Sequence, residues 1–287
     1  MAIPVGQILD GKENGREIYA EVRREVDLLL RERGVQPQLA AILVGDDAAS
    51  RLYVESKQRA CREVGISSAV YQLGNTVSED ELIHLIYQLN RDPQVHGILL
   101  QLPLPERALE DAALAEIAPD KDVDGLSPLS QGYLFSGRPG LRPCAPLAVM
   151  ELIARAGISL TGKRAVVVGA SALVGKPVAL MLLEHNATVV LCHEFTVDLA
   201  TEVGGADVLV CAVGKPELIR GEWLQPGVVV IDVGTNRTPC GVRGDVHFES
   251  ARERASYITP VPGGVGPMTI AMLTRNTLRA AQRLVYR

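Results

Sequence analysis

The chain has 287 residues, enough for two domains of about 100–200 residues each. Its net charge of -5 comes without a basic stripe, which argues against nucleic acid as a partner. Hydrophobic residues make up 47% but aromatics only 4%, so the cores must be aliphatic, and no apolar run reaches the ~18 residues of a membrane helix.

Met1–Gly6 lacks the basic and apolar regions of a signal peptide. Cys61, Cys144, Cys192, Cys211 and Cys240 are odd in number and scattered, with no CxxC pair. That pattern argues against a disulfide framework and a zinc site. A cytoplasmic protein with reduced thiols, no metal and no membrane partner is expected.

Residues 12–33 carry Ile18, Val22, Val26, Leu29 and Leu30 at helical spacing, and Gly34 closes the helix. The aliphatic run 39–44 reads as a buried parallel strand ending at Gly45. Ser50 is the expected N-cap of the next helix, and Gly65 its stop. That helix places Tyr53 and Lys57 one turn apart on one face. Such a pair handles protons if the face lines a cleft; otherwise it is a solvated surface pair. Residues 69–73 read as a strand. Ser78 and Glu81 form a capping box ahead of a helix with Leu82, Ile83, Leu85, Ile86 and Leu89 on its apolar face. The strand 97–102 puts Gln101 at its carboxyl end. Alternating strands and helices predict an α/β layer with ligands beyond the carboxyl ends of the strands.

The turn 119–125 holds three carboxylates in five residues, without the spacing of an EF-hand. The Pro- and Gly-rich stretch 136–146 reads as an interdomain connection, followed by a helix over 147–156. A second βαβ unit runs from strand 164–168 through the turn 169–175 and a helix from Lys176 to about Glu184, into strand 187–191. Its turn, GASALVG, is of GxSxxxG form and places backbone N–H groups at a helix start, where a pyrophosphate is stabilised. Strands 207–212 and 228–233 follow, ending near Gly214 and Gly234. The loop 259–267, with three glycines and three prolines, suits close backbone approach to a ligand. A last helix spans 268 to about 284. His84 and His185 read as structural.

Nine segments, in order, resemble the bifunctional methylenetetrahydrofolate dehydrogenase/methenyltetrahydrofolate cyclohydrolase family. They are YVESKQRAC (53–61), GILLQLPLP (97–105), PDKDVDG (119–125), RPCAP (142–146), GASALVGKP (169–177), AVGKP (212–216), IDVG (231–234), GDV (244–246) and TPVPGGVGPMT (259–269). The resemblance implies a two-domain α/β fold. An amino-terminal folate domain, 1–146, and a Rossmann-like dinucleotide-binding domain, 147–267, would flank a cleft, with helix 268–287 returning to the first. It implies oxidation of 5,10-methylenetetrahydrofolate by hydride transfer and hydrolysis of the methenyl product to 10-formyltetrahydrofolate. This is one-carbon chemistry, serving tetrahydrofolate interconversion and purine biosynthesis. A homodimer is implied.

By the same resemblance Lys57 is the catalytic lysine, Gln101 orients it, Tyr53 flanks the substrate and Asp124 hydrogen-bonds the pterin. Leu102, Pro262, Gly263 and Gly264 join Tyr53, Lys57, Gln101 and Asp124 as expected substrate contacts. Gly169, Ala170, Ser171, Val174, Gly175, His193, Glu194, Val213, Gly214 and Thr235 are the expected dinucleotide contacts. The family's usual cofactor, NADP, is expected. Two departures favour NAD as the alternative: Ala170 stands where many relatives have Arg, and Glu194 follows the second Rossmann strand, where an acid bonds a ribose 2′-OH. A single-activity member of the family is a further alternative.

Overall fold

The structure, a computed structural model, describes residues 6–286; Met1–Val5, most of the stretch read as lacking a leader, lie outside them. The elements in order are β1 (Gln7–Ile8), α1 (Gly11–Arg33), β2 (Gln38–Val44), α2 (Ala48–Glu63), β3 (Ser67–Leu73), α3 (Glu79–Arg91), β4 (Gly97–Leu100), α4 (Arg107–Glu116), α5 (Pro128–Phe135) and α6 (Cys144–Arg155). They continue with β5 (Arg164–Val168), α7 (Gly175–Glu184), β6 (Thr188–Cys192), α8 (Leu199–Gly204), β7 (Val208–Cys211), β8 (Val229–Asp232), β9 (Asn236–Thr238), β10 (Gly241–Arg243), α9 (Phe248–Arg252), β11 (Tyr257–Ile258) and α10 (Val265–Val285). Two compact units result: one takes Arg16–Cys144 with the described residues from Ile270 onward, the other Ala145–Thr269 with the described residues up to Gly15.

The first unit holds a parallel three-stranded sheet in the order β3-β2-β4. Its aliphatic strands bury Ala40, Ile42, Ile98 and Leu100 against Leu82, Ile86 and Leu89 of α3. The capping box is present: Ser78 Oγ accepts from Glu81 N, and the Glu81 carboxylate accepts from Ser78 N. The N-cap of α2 is Asp47, not Ser50; Asp47 Oδ2 accepts from Ser50 N at 2.7 Å. A carboxylate at that position also suits the positive end of the helix dipole. Gly65 follows the helix with φ +79, a conformation that only glycine adopts readily.

The second unit holds a parallel six-stranded sheet in the order β1-β11-β8-β7-β5-β6. The chain leaves β5 to one side for β6 and then crosses to β7 on the other, which makes the carboxyl ends of β5 and β7 a topological switch point. Val166, Leu209, Val230 and Ile258 form its core. Helices α6 and α10 begin three residues earlier than the sequence suggested, at Cys144 and Val265. Pro146 and Pro267 sit in their first turns, where a missing N–H breaks no helical hydrogen bond. Helices α4 and α5 and the β9–β10 hairpin were not expected. Among the described residues no helix is long and apolar enough to cross a membrane.

Candidate active site

The register of the three-stranded sheet sets the first site. Ile42 lies opposite Leu100, and Gln101 N donates to Ile42 O at 2.9 Å, so Gln101 is fixed by the last rung beyond β4. Helix α2 follows β2 and carries Lys57 inward. Lys57 is 6% exposed and Gln101 8%. Lys57 Nζ donates to Gln101 Oε1 at 3.0 Å, and Gln101 Nε2 donates to Leu102 O at 2.7 Å. That second bond fixes which way the carboxamide faces, so its oxygen points at the amine. Nζ also lies 4.8 Å from the centroid of the Tyr53 ring, one turn back on α2. Among the described residues no carboxylate pairs with Nζ: its neighbours are an amide oxygen and a π face.

The turn after β4 supplies the acid. Lys121 Nζ donates to Leu89 O and Asp92 O, at 3.0 and 2.7 Å, tying the turn to the end of α3. Asp122 is buried and accepts from Leu126 N and Ser127 N, at 3.3 and 2.8 Å. Two of the turn's charged residues are therefore anchors, and Asp124 is left half-buried, in electrostatic reach of Tyr53 and Cys144. Gly125 has φ +65, and a Cβ there would collide with the backbone of Arg142 and Pro143. This close approach brings Cys144 to the site. Its thiol donates toward Val123 O at 3.2 Å; burial, then the nearby Asp124 carboxylate, pushes it far above the ordinary thiol range. Burial, then Asp124 and Cys144, push the Tyr53 phenol up to about 12, so it stays a neutral donor across the working pH range.

The second site is a cavity of about 490 Å³ at the switch point of the six-stranded sheet. The turn after β5 lines it with Gly169, Ala170 and Ser171, the end of β6 with His193, Glu194 and Thr196, and the end of β7 with Ala212, Val213 and Lys215. A Cβ on Gly175 would collide with Gly169 O, and one on Gly169 with Ala212 O, so only glycine lets α7 start this close to the sheet. Ser171 Oγ accepts from Val174 N and Gly175 N, at 3.2 and 3.5 Å, capping the start of α7. This cradle of small residues at a strand end fits a dinucleotide.

Of the expected substrate contacts, Tyr53, Lys57, Gln101, Leu102 and Asp124 gather in the first unit. Pro262, Gly263 and Gly264 belong to the other, where Gly263 O accepts from Gly11 N at 2.9 Å. Of the expected dinucleotide contacts, Gly169, Ala170, Ser171, His193, Glu194 and Val213 line the cavity, while Val174, Gly175, Gly214 and Thr235 do not. The sequence reading missed Cys144, Thr196 and Lys215. RPCAP and AVGKP held two of them in plain view, but a lone Cys or Lys in a loop has no periodic signal.

Two family models match the chain. One, described as tetrahydrofolate dehydrogenase/cyclohydrolase, catalytic domain, covers residues 9–124. The other, described as the NAD(P)-binding domain of the same enzymes, covers residues 143–285. The bifunctional protein FolD of Moorella thermoacetica is 56% identical over 278 residues, spanning 96% of this chain and 99% of that one. Among solved structures, the bifunctional FolD dehydrogenase/cyclohydrolase of Campylobacter jejuni is 48% identical with a TM-score of 0.94, covering 96% of this chain and 99% of its own. The Trypanosoma brucei methylenetetrahydrofolate dehydrogenase-cyclohydrolase, complexed with NADP cofactor and inhibitor, is 40% identical with a TM-score of 0.93, covering 99% and 100%.

Proposed function

The chain belongs to the tetrahydrofolate dehydrogenase/cyclohydrolase family, and we propose that Lys57, Gln101, Tyr53 and Asp124 carry its folate chemistry. It is a bifunctional enzyme that oxidises 5,10-methylenetetrahydrofolate and hydrolyses the methenyl product to 10-formyltetrahydrofolate. The dinucleotide, when bound, supplies the hydride acceptor. The protein's part in that step is to hold the donor carbon in place. Asp124 accepts from the adjacent N–H donors of the amino-pyrimidine edge, and Tyr53 flanks the ring.

Hydrolysis asks more of the side chains. Water adds to the methenyl carbon of the cationic substrate, one of its protons passes to N5 as the bond from that carbon to N5 breaks, and the other is released to solvent, leaving the neutral formyl product. Lys57 as the free amine takes the proton and as the ammonium returns it. Gln101 holds Nζ in place without fixing its charge, because the carboxamide is neutral. The Lys57–Gln101 hydrogen bond is the observation that carries this reading. Lys57→Met keeps the side chain's length and removes the amine. Its methenyl hydrolysis, followed by loss of methenyl absorbance, is expected to fall at least a hundredfold, in line with ~10²–10⁴-fold contributions of positioned acid–base groups. Hydrolysis at the parental rate would remove Lys57 from the mechanism.

NADP is the cofactor we assign, on the family resemblance and on the NADP bound by the trypanosomal relative. A homodimer, a cytoplasmic location and service to purine biosynthesis rest on the same resemblance. The homodimer is further supported by the open edge strand β6, beside which Phe195 and Val197 are 81% and 89% exposed. Light scattering on the purified chain tests it.

A further inference from the structure

One wall of the dinucleotide cavity is the segment after β7, which contributes Ala212, Val213 and Lys215. Three consecutive N–H groups of that segment converge on a single carboxylate about 30 residues later in the chain. Val213 N and Gly214 N donate to Asp245 Oδ2 at 2.6 and 3.1 Å, and Lys215 N donates to Oδ1 at 3.0 Å. Asn236 Nδ2 adds a fourth bond, to Oδ1, at 2.8 Å. Asp245 is 0% exposed, so it meets the cavity only through the loop it holds.

Asp245 is itself held by a second buried carboxylate. Asp232, at the end of β8, accepts from Asp245 N at 3.0 Å, from Val246 N at 2.9 Å and from Gly234 N at 2.9 Å. Asp232 N donates in turn to Thr259 Oγ1 at 2.7 Å. The packing leaves no room for alternatives: a Cβ on Gly244 would collide with the Asp232 carboxylate, and one on Gly234 with that of Asp245. A carboxylate sunk this deep costs free energy unless its lone pairs are filled, and both are filled almost wholly by backbone N–H groups of neighbouring loops. Neither residue lines the dinucleotide cavity.

We propose that Asp245 is a positioning residue for the dinucleotide: it sets the 213–215 backbone so that Val213 and Lys215 form the cavity wall, with Asp232 fixing Asp245 from behind. This rests on the reading that the cavity takes the dinucleotide. The test uses the full chain carrying Asp245→Asn, which keeps the shape and replaces one acceptor oxygen by a donor. The dinucleotide KM of the dehydrogenase is expected to rise about tenfold. In the same preparation the KM for methylenetetrahydrofolate and the cyclohydrolase kcat/KM, measured without dinucleotide, stay within twofold. An unchanged dinucleotide KM, or a parallel loss of every constant, overturns the proposal. Where Asp245→Asn does not fold, Asn236→Ala carries the same comparison at a half-buried position, with a rise of about threefold expected. Ala170→Trp, which fills the cavity, separates the two ideas. If it leaves the dinucleotide KM unchanged, the cavity reading fails and the proposal with it. If it raises that KM while Asp245→Asn does not, only the positioning role is lost.

Discussion

Lys57 and Gln101, 44 residues apart in the chain, share a buried hydrogen bond of 3.0 Å in which the acceptor is a neutral amide oxygen. The neutrality matters. A carboxylate at that distance would favour the ammonium and hold the proton on Nζ, since an opposite charge within ~4–6 Å favours the charged form. Gln101→Glu, nearly the same shape, is therefore expected to lower cyclohydrolase kcat by roughly 10–100-fold and to shift its pH optimum upward. Gln101→Leu leaves the amine without its partner and is expected to lose comparable activity without the shift. Rate against pH for the two variants checks this; identical profiles would remove the charge argument.

Glu194 lies in the wall of the dinucleotide cavity, just past the end of β6. Its carboxylate is exposed, and Lys215 is the cation among the residues lining the cavity. A 2′-phosphate brought near Glu194 is repelled, whereas a 2′-hydroxyl can donate to it. Two unit charges at ~6–7 Å and an effective dielectric of about 20 interact by roughly 2.5 kcal/mol, and salt reduces this at an exposed site. Glu194→Ser is therefore expected to raise the NADP-over-NAD ratio of kcat/KM by about tenfold, measured with both cofactors at one ionic strength. An unchanged ratio would place discrimination elsewhere in the cavity.

Four of the five thiols are buried and one is exposed, Cys240 in the turn between β9 and β10. Burial pushes Cys61 up to about 12 and raises Cys144, Cys192 and Cys211 as well. A thiol that is both enclosed and protonated does not alkylate. Iodoacetamide at pH 8 is expected to add one carbamidomethyl group to the folded chain, on Cys240, and five in guanidinium. Intact-mass and peptide mass spectrometry read the result. A second adduct on Cys144 in the folded chain would show that the Asp124 corner opens.

The sequence made some of this legible and hid the rest for physical reasons. Tyr53 and Lys57 follow from helical spacing, and Gln101 from its place at a strand end. Their meeting depends on the register that sets Ile42 opposite Leu100, which no local pattern encodes. Ser50 looked like a cap because its residue type suits one, yet Asp47 stands closer to the strand end and wins the first turn. Ser127-Pro128 was a readable start for α5, with Ser127 Oγ accepting from Ser130 N. The β9–β10 hairpin turns through Pro239 and Cys240 rather than the Asn-Gly or Asp-Gly pairs that mark tight hairpins. Asp232 and Asp245 are the deepest omission: their partners are mostly backbone N–H groups, which leave no residue-type signature.

Asp232 yields a signed prediction about pH. Burial pushes its carboxyl up to about 7, against the lowering effect of the N–H groups of Val246, Asp245 and Gly234. The unfolded chain has this group near the ordinary value of about 3.9. Between those values the folded state binds a proton that the unfolded state does not. The raised pKa therefore favours folding at acid pH, and that contribution is lost as pH rises through about 7. The neighbouring charges are Asp245 on the loop it holds, and Glu217 and Arg243 around the small cavity it lines. Asp232→Asn cannot titrate, so subtracting its stability cancels their shared contributions. From pH 6 to pH 8 the wild-type chain is expected to lose about 1.4 kcal/mol relative to Asp232→Asn, the value of one proton released across one pH unit. Urea unfolding of both proteins at the two pH values measures it. A gap that stays constant, or widens in favour of the wild type, would mean that Asp232 is already ionised at pH 6, held so by its backbone donors.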